Sequence, residues 1–206
     1  MGVYSNYVLP RLIDLVMRGK PQADERAKIV PLAGGVVVEI GSGSGLNAPF
    51  FAASVRRVYA VDPSLALWRL GRNRLRAAPV RVCFIAASGE SIPIQSGAAD
   101  TVLMTWTLCS IPDAPAALRE IRRVLRPAGR LVFVEHGRSP DASVRRWQQG
   151  LNPIWRPLAG GCNLDRPIDT LVTSAGFRIV RLECGYAGAG PKPFDYLYRG
   201  VAEPNA

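Results

Sequence analysis

Apolar residues recur along the chain at two spacings. Short apolar runs bounded by Gly, Pro, Ser or Asp alternate with longer stretches of helical period. The runs at 36–40, 57–61, 80–85, 101–107 and 131–135 predict five strands. Helical spacing covers 3–19, where Val8, Leu12, Leu15 and Val16 are interleaved with Arg11, Asp14 and Arg18, and Pro10 marks an early turn. Further helices are expected over 22–30, 46–54, 64–76, 114–125 and 165–175. Ser64 or Asp62 would cap the helix over 64–76. Pro127-Ala128-Gly129 would end the helix over 114–125, and Gly176 would stop the last one. Two late β segments, 177–185 and 194–202, flank a Gly/Pro-rich connection that reads as a hairpin loop.

Strands alternating with helices predict an α/β fold, a doubly wound parallel sheet with right-handed crossovers. There is no internal repeat and no long linker, so 1–206 reads as a single domain. Within it, 1–30 is an N-terminal helical segment, whose helix over 3–19 is packed on the domain, a lid over a ligand or a helix lying on a membrane surface. Residues 138–168 depart from the alternation. They are long and aromatic for a connection and read as a substrate-covering segment.

The first strand runs into Glu39-Ile40-Gly41-Ser42-Gly43-Ser44-Gly45-Leu46-Asn47. A strand, a glycine-dense turn and a following helix form a cradle for a nucleotide-like ligand. Glycine permits positive φ and close backbone approach, and a helix N-terminus offers free N–H groups. The dinucleotide pattern G-x-G-x-x-G is not met, because its third position falls on Leu46. Asp62 closes the second strand 21 residues after Gly41. An acid there accepts hydrogen bonds from both ribose hydroxyls in doubly wound folds.

Composition narrows the classes. The 206 residues suffice for one domain with a sizeable core. No apolar run reaches the roughly 18–20 residues needed to span a bilayer, and Arg11, Asp14, Arg18 and Lys20 break up the N-terminus as a signal peptide. Cys83, Cys109, Cys162 and Cys184 are widely spaced and read as reduced thiols of a cytoplasmic protein. With a single histidine, His136, no metal site is expected. The net charge of +10 is mostly arginine. Its clusters at Arg69, Arg72, Arg74 and Arg76 and at Arg119, Arg122, Arg123 and Arg126 lack interleaved aromatics, so they read as solvated helix faces and no nucleic-acid partner is expected.

The glycine turn and three further segments follow in order. E-x-G-x-G-x-G at 39–45 resembles motif I of the class I S-adenosylmethionine methyltransferases. Ser88-Gly89-Glu90-Ser91-Ile92-Pro93 resembles the family's G-D-A-E-x-L-P loop, with Ser88 at the acid's position. Ala99-Asp100-Thr101-Val102 resembles its F-D-x-V strand. Leu118-x-Glu120-x-x-Arg123-Val124-Leu125-Arg126-Pro127-x-Gly129 resembles its L-x-E-x-x-R-V-L-K-P-G-G segment. Over 36–135 the chain is similar to the ubiquinone-type (type 11) superfamily. That resemblance implies a Rossmann-like seven-stranded, mostly parallel sheet closed by a C-terminal antiparallel hairpin. It implies S-adenosylmethionine as cofactor and S-adenosylhomocysteine as product. Glu39, Gly41, Ser42, Gly43 and Asn47 would lie at the methionine part, and Asp62 and Pro63 at the ribose. Ser88, Gly89 and Glu90 would lie near the adenine, and Thr105 and Trp106 would face cofactor and substrate.

His136 follows the fifth strand, where a base or substrate-orienting group would stand. Leu108-Cys109-Ser110, Glu135-His136, Trp147-Gln148, Pro153-Ile154-Trp155 and Gly161-Cys162-Asn163-Leu164 resemble the alkyl-thiol methyltransferase branch. That likeness implies Cys109, Trp147, Trp155 and Cys162 as substrate-binding residues and a small thiol as acceptor. Animal members of that branch have a hydrophobic N-terminal anchor. Here only the amphipathic 3–19 stands in its place, so peripheral contact is the most that is carried over. Methylation of a lipid, quinone or phospholipid headgroup at a membrane surface and non-enzymatic cofactor binding remain as alternatives.

Overall fold

The computed structural model describes residues 4–188 and 190–205. Residue 3, the first position of the predicted N-terminal helix, lies outside them. Seven strands form one sheet: β1 (Gly35–Ile40), β2 (Val55–Val61), β3 (Val82–Ile85), β4 (Ala99–Thr105), β5 (Leu125–His136), β6 (Phe177–Tyr186) and β7 (Tyr196–Pro204). Their order is β3-β2-β1-β4-β5-β7-β6. β1 to β5 run parallel, while β7 is antiparallel to both β5 and β6. The order reverses between β1 and β4, so the crevice for a ligand opens at the carboxyl ends of those strands.

The helices are α1 (Leu9–Met17), α2 (Lys20–Ile29), α3 (Leu65–Arg76), α4 (Ala114–Val124), α5 (Ala142–Leu158) and α6 (Ile168–Ser174). A wide helical turn, Tyr4–Val8, leads into α1, and Pro10 sits in its first turn. Ser64 caps α3 by accepting the Leu67 N–H, and Asp113 caps α4 by accepting the Ala116 N–H. Among the described residues no helix is long and apolar enough to cross a membrane.

Strand alternation divides the core into two faces. Val38, Ile40, Val102, Met104, Leu131 and Phe133 pack with Leu118 and Ile121 of α4 and Ile168 and Val172 of α6. Val37, Val58, Leu103, Val132 and Val134 pack with Ile29, Val30 and Phe51.

The predicted helix over 46–54 does not form. Only the short turn Ala48–Phe50 is helical, and Phe51 is extended. Gly45 at φ 71° and Pro49 leave too few consecutive residues able to propagate a helix. Ile29 and Val30, at the end of α2, help cover that face instead. Other boundaries move as well: β5 begins at Leu125, six residues before the expected 131, and β7 and α6 shift by one to three residues. β4 ends at Thr105, not Thr107, because Trp106 turns to φ 51°. α4 ends at Val124, before Pro127, and Leu125 is already extended. A residue preceding proline, here Arg126, disfavours helix. The segment 138–168, for which no helix was expected before residue 165, is largely α5.

Candidate active site

The carboxyl edge of the sheet has two ends, one after β1 and β2, where the cofactor residues are expected, and one after β4 and β5, where the acceptor residues are expected; these are the cofactor end and the acceptor end below. At the cofactor end Gly41 adopts φ 71°, and a Cβ there would lie 2.2 Å from Thr107 Oγ1. Gly43 adopts φ 53°, and a Cβ there would meet no atom closer than 3.9 Å, so its open side can receive a ligand. The Gly43 N–H donates to Asp62 Oδ2 at 2.8 Å and the Ser64 N–H to Asp62 Oδ1 at 2.7 Å. Burial pushes the Asp62 carboxyl up, against the pull of those two donors. Ser42 is buried, and its Oγ has no partner. An open glycine, an orphan hydroxyl and an oriented carboxylate fit the cofactor that the motif implies. Pro63 stands exposed at the rim.

Glu39 is 1% exposed and accepts from Asn47 Nδ2 at 2.7 Å. Asn47 also donates to Thr105 Oγ1 at 3.0 Å. Burial raises the Glu39 carboxyl to about 7, although Asn47 and the nearby Arg26 oppose the shift. Arg26, from α2, donates to Asn47 Oδ1 at 3.0 Å and to the Met17 carbonyl at 2.7 Å. Its guanidinium carbon lies 5.0 Å from the Trp106 ring centroid, so one face of that indole is already covered by a cation. Sequence reading missed Arg26 because α2 carries no motif. It also missed the Arg74 to Asp14 pair, 2.7 Å, that fastens α1 onto α3, and the Arg199 to Glu25 pair that fastens α2 onto β7.

After β3, Ser88 and Glu90 bond to each other, and Glu90 accepts the Asp113 N–H at 3.1 Å. Glu90 therefore braces the loop against the start of α4. Gly89 is buried, and a Cβ there would press on Ile40 Cγ2 at 2.9 Å.

At the acceptor end, thiols widely spaced in the sequence come together. Cys109 follows β4, His136 ends β5 and Cys162 follows α5, yet their ligand atoms lie within 4.8 Å of one another. Cys162 Sγ is 3.7 Å from Cys109 Sγ and 3.7 Å from His136 Nδ1. Sequence separation concealed this, because the crossover α4 and helix α5 bring distant strand ends together. The neighbouring Cys109 thiol, outweighing burial and helped by His136, holds the Cys162 thiol below its ordinary value. The Cys109 thiol is pushed well up by Cys162 beside it and by burial.

Glu135 was quoted only as part of a motif, but it organises this end. Its carboxylate is fully buried and accepts the N–H groups of Thr107, Leu108 and Cys109 at 2.8, 3.0 and 3.2 Å. Burial lifts it to about 7 against those three donors. Trp155 stacks at a tilt on Phe194, with centroids 4.7 Å apart. Its Nε1 has no partner at hydrogen-bond distance but is near enough to favour the Cys162 thiolate. The structure does not bring Trp147 into this group: it is 66% exposed on α5. Its neighbour Gln148 is the inward residue, bonding the Ser139 N–H, the Gly137 carbonyl and the Pro193 carbonyl.

A seven-stranded sheet of this order with a glycine turn and an acid at its switch point defines the class I methyltransferase fold. Residues 38–133 match the type 11 methyltransferase-domain family, and the chain belongs to that S-adenosylmethionine-dependent family, whose cofactor is S-adenosylmethionine. It is 32% identical over 154 residues to the human thiol S-methyltransferase TMT1A, covering 71% of this chain and 62% of that protein. It is 33% identical over 118 residues to the demethylmenaquinone methyltransferase of Clavibacter sepedonicus, covering 57% and 48%. The chain thus spans less than two thirds of the length of these relatives. Among solved structures, the 1,6-didemethyltoxoflavin-N1-methyltransferase of Burkholderia thailandensis shares the fold. It superimposes with a TM-score of 0.70 at 18% identity, covering 99% of this chain and 88% of that one.

Proposed function

We propose that this chain methylates a small-molecule acceptor, and that the acceptor is a thiol. One observation carries the location. Among the described residues, the buried side-chain polar atoms without a partner are Ser42 Oγ, His136 Nε2 and Trp155 Nε1. All three border the carboxyl edge of the sheet. Leaving a buried polar group unpaired costs ~1–3 kcal/mol, so these groups are kept free for ligands.

When bound, S-adenosylmethionine supplies a methyl group on a positively charged sulfur. The Gly41–Gly43 turn and the Ser42 hydroxyl hold its methionine part. Asp62, whose oxygens each take one backbone donor, keeps lone pairs for the ribose hydroxyls. Thr105 and Trp106 separate the two ends. Arg26, pinned between Asn47 and Trp106, closes the N-terminal segment over the crevice and keeps water out. His136, with Nδ1 turned to Cys162, stands beside the acceptor and orients it, while Trp155 walls the acceptor side. Holding two reactants in line is worth up to ~7–11 kcal/mol, the main contribution such a site can make. The likeness to thiol S-methyltransferases supports the acceptor assignment. The four cysteines are free, as suits the reducing cytoplasm.

The deciding assay offers S-adenosylmethionine with ethanethiol, a hydroquinone and a primary amine at neutral to mildly alkaline pH. S-methylation of ethanethiol is expected. Turnover of the hydroquinone alone overturns the thiol assignment.

A second reading has its own observation. Tyr7, Leu12, Leu15 and Val16 of the N-terminal segment and Trp147, Ile154 and Leu158 of α5 are exposed. The Tyr4 hydroxyl bonds the Leu158 carbonyl, so the two groups adjoin. Such a face suits delivery of an apolar acceptor, such as a quinone, from a membrane surface. Loss of vesicle binding in the Leu15→Glu, Val16→Glu double variant would support it.

A further inference from the structure

The Cys109, His136 and Cys162 group contains more than the thiol reading requires. A tetrahedral zinc ion has Zn–S near 2.3 Å and Zn–N near 2.0–2.1 Å, which sets ligand-to-ligand edges of about 3.8 Å for S to S and about 3.6 Å for S to N. The structure shows 3.7 Å for Cys109 Sγ to Cys162 Sγ and 3.7 Å for Cys162 Sγ to His136 Nδ1. The third edge is no longer than 4.8 Å.

The backbone beneath these side chains is tied together. The N–H and the Nδ2 of Asn163, beside Cys162, both donate to the Cys109 carbonyl at 2.9 Å. Glu135 holds the Cys109 N–H. His136 lies in register opposite Leu197 of β7. Two thiolates and a neutral imidazole balance a divalent charge, and the set is soft enough to select zinc over magnesium or calcium.

We propose that Cys109 Sγ, His136 Nδ1 and Cys162 Sγ bind one zinc-class divalent ion, leaving a fourth position open. Three protein ligands with an open place are the pattern of a reactive zinc site, whereas purely structural sites are closed by a fourth ligand. The ion itself rests on the geometry. The use of the open place rests on the thiol reading: there the acceptor's S–H bond breaks, its proton goes to solvent, and the sulfur bonds the metal as a thiolate.

The test uses the whole chain, purified reduced and without chelator. Elemental analysis should find about one zinc per chain. Cobalt(II) should give the thiolate charge-transfer and tetrahedral ligand-field bands. Cys109→Ser and Cys162→Ser should abolish both signals while S-adenosylmethionine still binds, which shows the variants are folded. Cys83→Ser and Cys184→Ser should leave the signals intact. Absence of metal together with absence of the cobalt spectrum overturns the site, as does a Cys109–Cys162 disulfide in the protein as isolated. Ethanethiol added to the cobalt form should shift the charge-transfer band, and an unchanged band overturns the role of the open place. If metal-free protein methylates ethanethiol as fast as the zinc form, the role of the open place falls, while the ion and the thiol reading stand. If the zinc form binds ethanethiol without methylating it, the thiol reading falls and the metal site stands.

Discussion

The two ends of the crevice are built from different material. The cofactor end is largely main chain: Gly41 and Gly43 at positive φ, with N–H groups aimed at Val61 and Asp62. It is assembled within residues 39–64, almost from one supersecondary unit. The acceptor end is side chain: two thiols, an imidazole and an indole from three separate places, held over a buried carboxylate. A main-chain grip depends on φ and on room for the backbone. A side-chain assembly depends on where distant elements come to rest. Damage to the first should therefore show in cofactor binding, and damage to the second in stability and acceptor use.

Gly41→Ala should produce the largest effect. It forces a Cβ into Thr107 at a φ that costs an L-residue about 1–2 kcal/mol before any clash. Calorimetry should show S-adenosylmethionine affinity lowered roughly 100-fold, since overpacking adds a further 1–3 kcal/mol. Unchanged affinity would break the main-chain side of the comparison.

Glu135→Ala should act on the other end. Three backbone N–H groups lose their acceptor, at about 2–3 kcal/mol. The melting temperature should fall, while cofactor affinity in the folded fraction changes little. An equal loss of cofactor binding would mean that the two ends are one unit.

Asp62→Ala should weaken S-adenosylmethionine by about tenfold, the worth of hydrogen bonds to a charged group, and leave the metal signal of the acceptor end intact. The N-terminal cover should respond to acid. Burial pushes Asp14 and Glu25 up, but hydrogen bonds from Arg74 and Arg199 and the surrounding charges outweigh it, and both carboxyls stay below their ordinary 3.8 and 4.5. Their contribution is thus present above those values and lost as pH falls through the lower folded ones. Hydrogen exchange at about pH 3–4 should find α1 and α2 opening before the sheet. Uniform opening would refute a separable cover. The smallest effect belongs to Trp147→Ala, within about 0.5 kcal/mol in stability and without change in ethanethiol turnover, because the indole is in solvent.

The α/β alternation, the hairpin and most strand boundaries were legible because buried parallel strands are short apolar runs and turns carry glycine and proline. The glycine turn and Asp62 were legible because their spacing follows one local unit. The helix over 46–54 was misread because apolar residues there satisfy a helical period while Pro49 and the left-handed Gly45 prevent one. Trp147 and Gln148 could not be told apart by type. Only the rotation of α5 puts the tryptophan outside and the glutamine inside.

The sequence alone determined the class of fold through its local periodicity, its resemblance to a known family implied the cofactor, and the glycine turn expected to receive it was legible because glycine is required at local positions. The tertiary structure alone decided that Cys109, His136 and Cys162 meet, that Arg26 lies over Trp106, and that Glu135 anchors the loop after β4. These are contacts between residues far apart in the chain. Their energies exist only once the sheet has closed the loops between them.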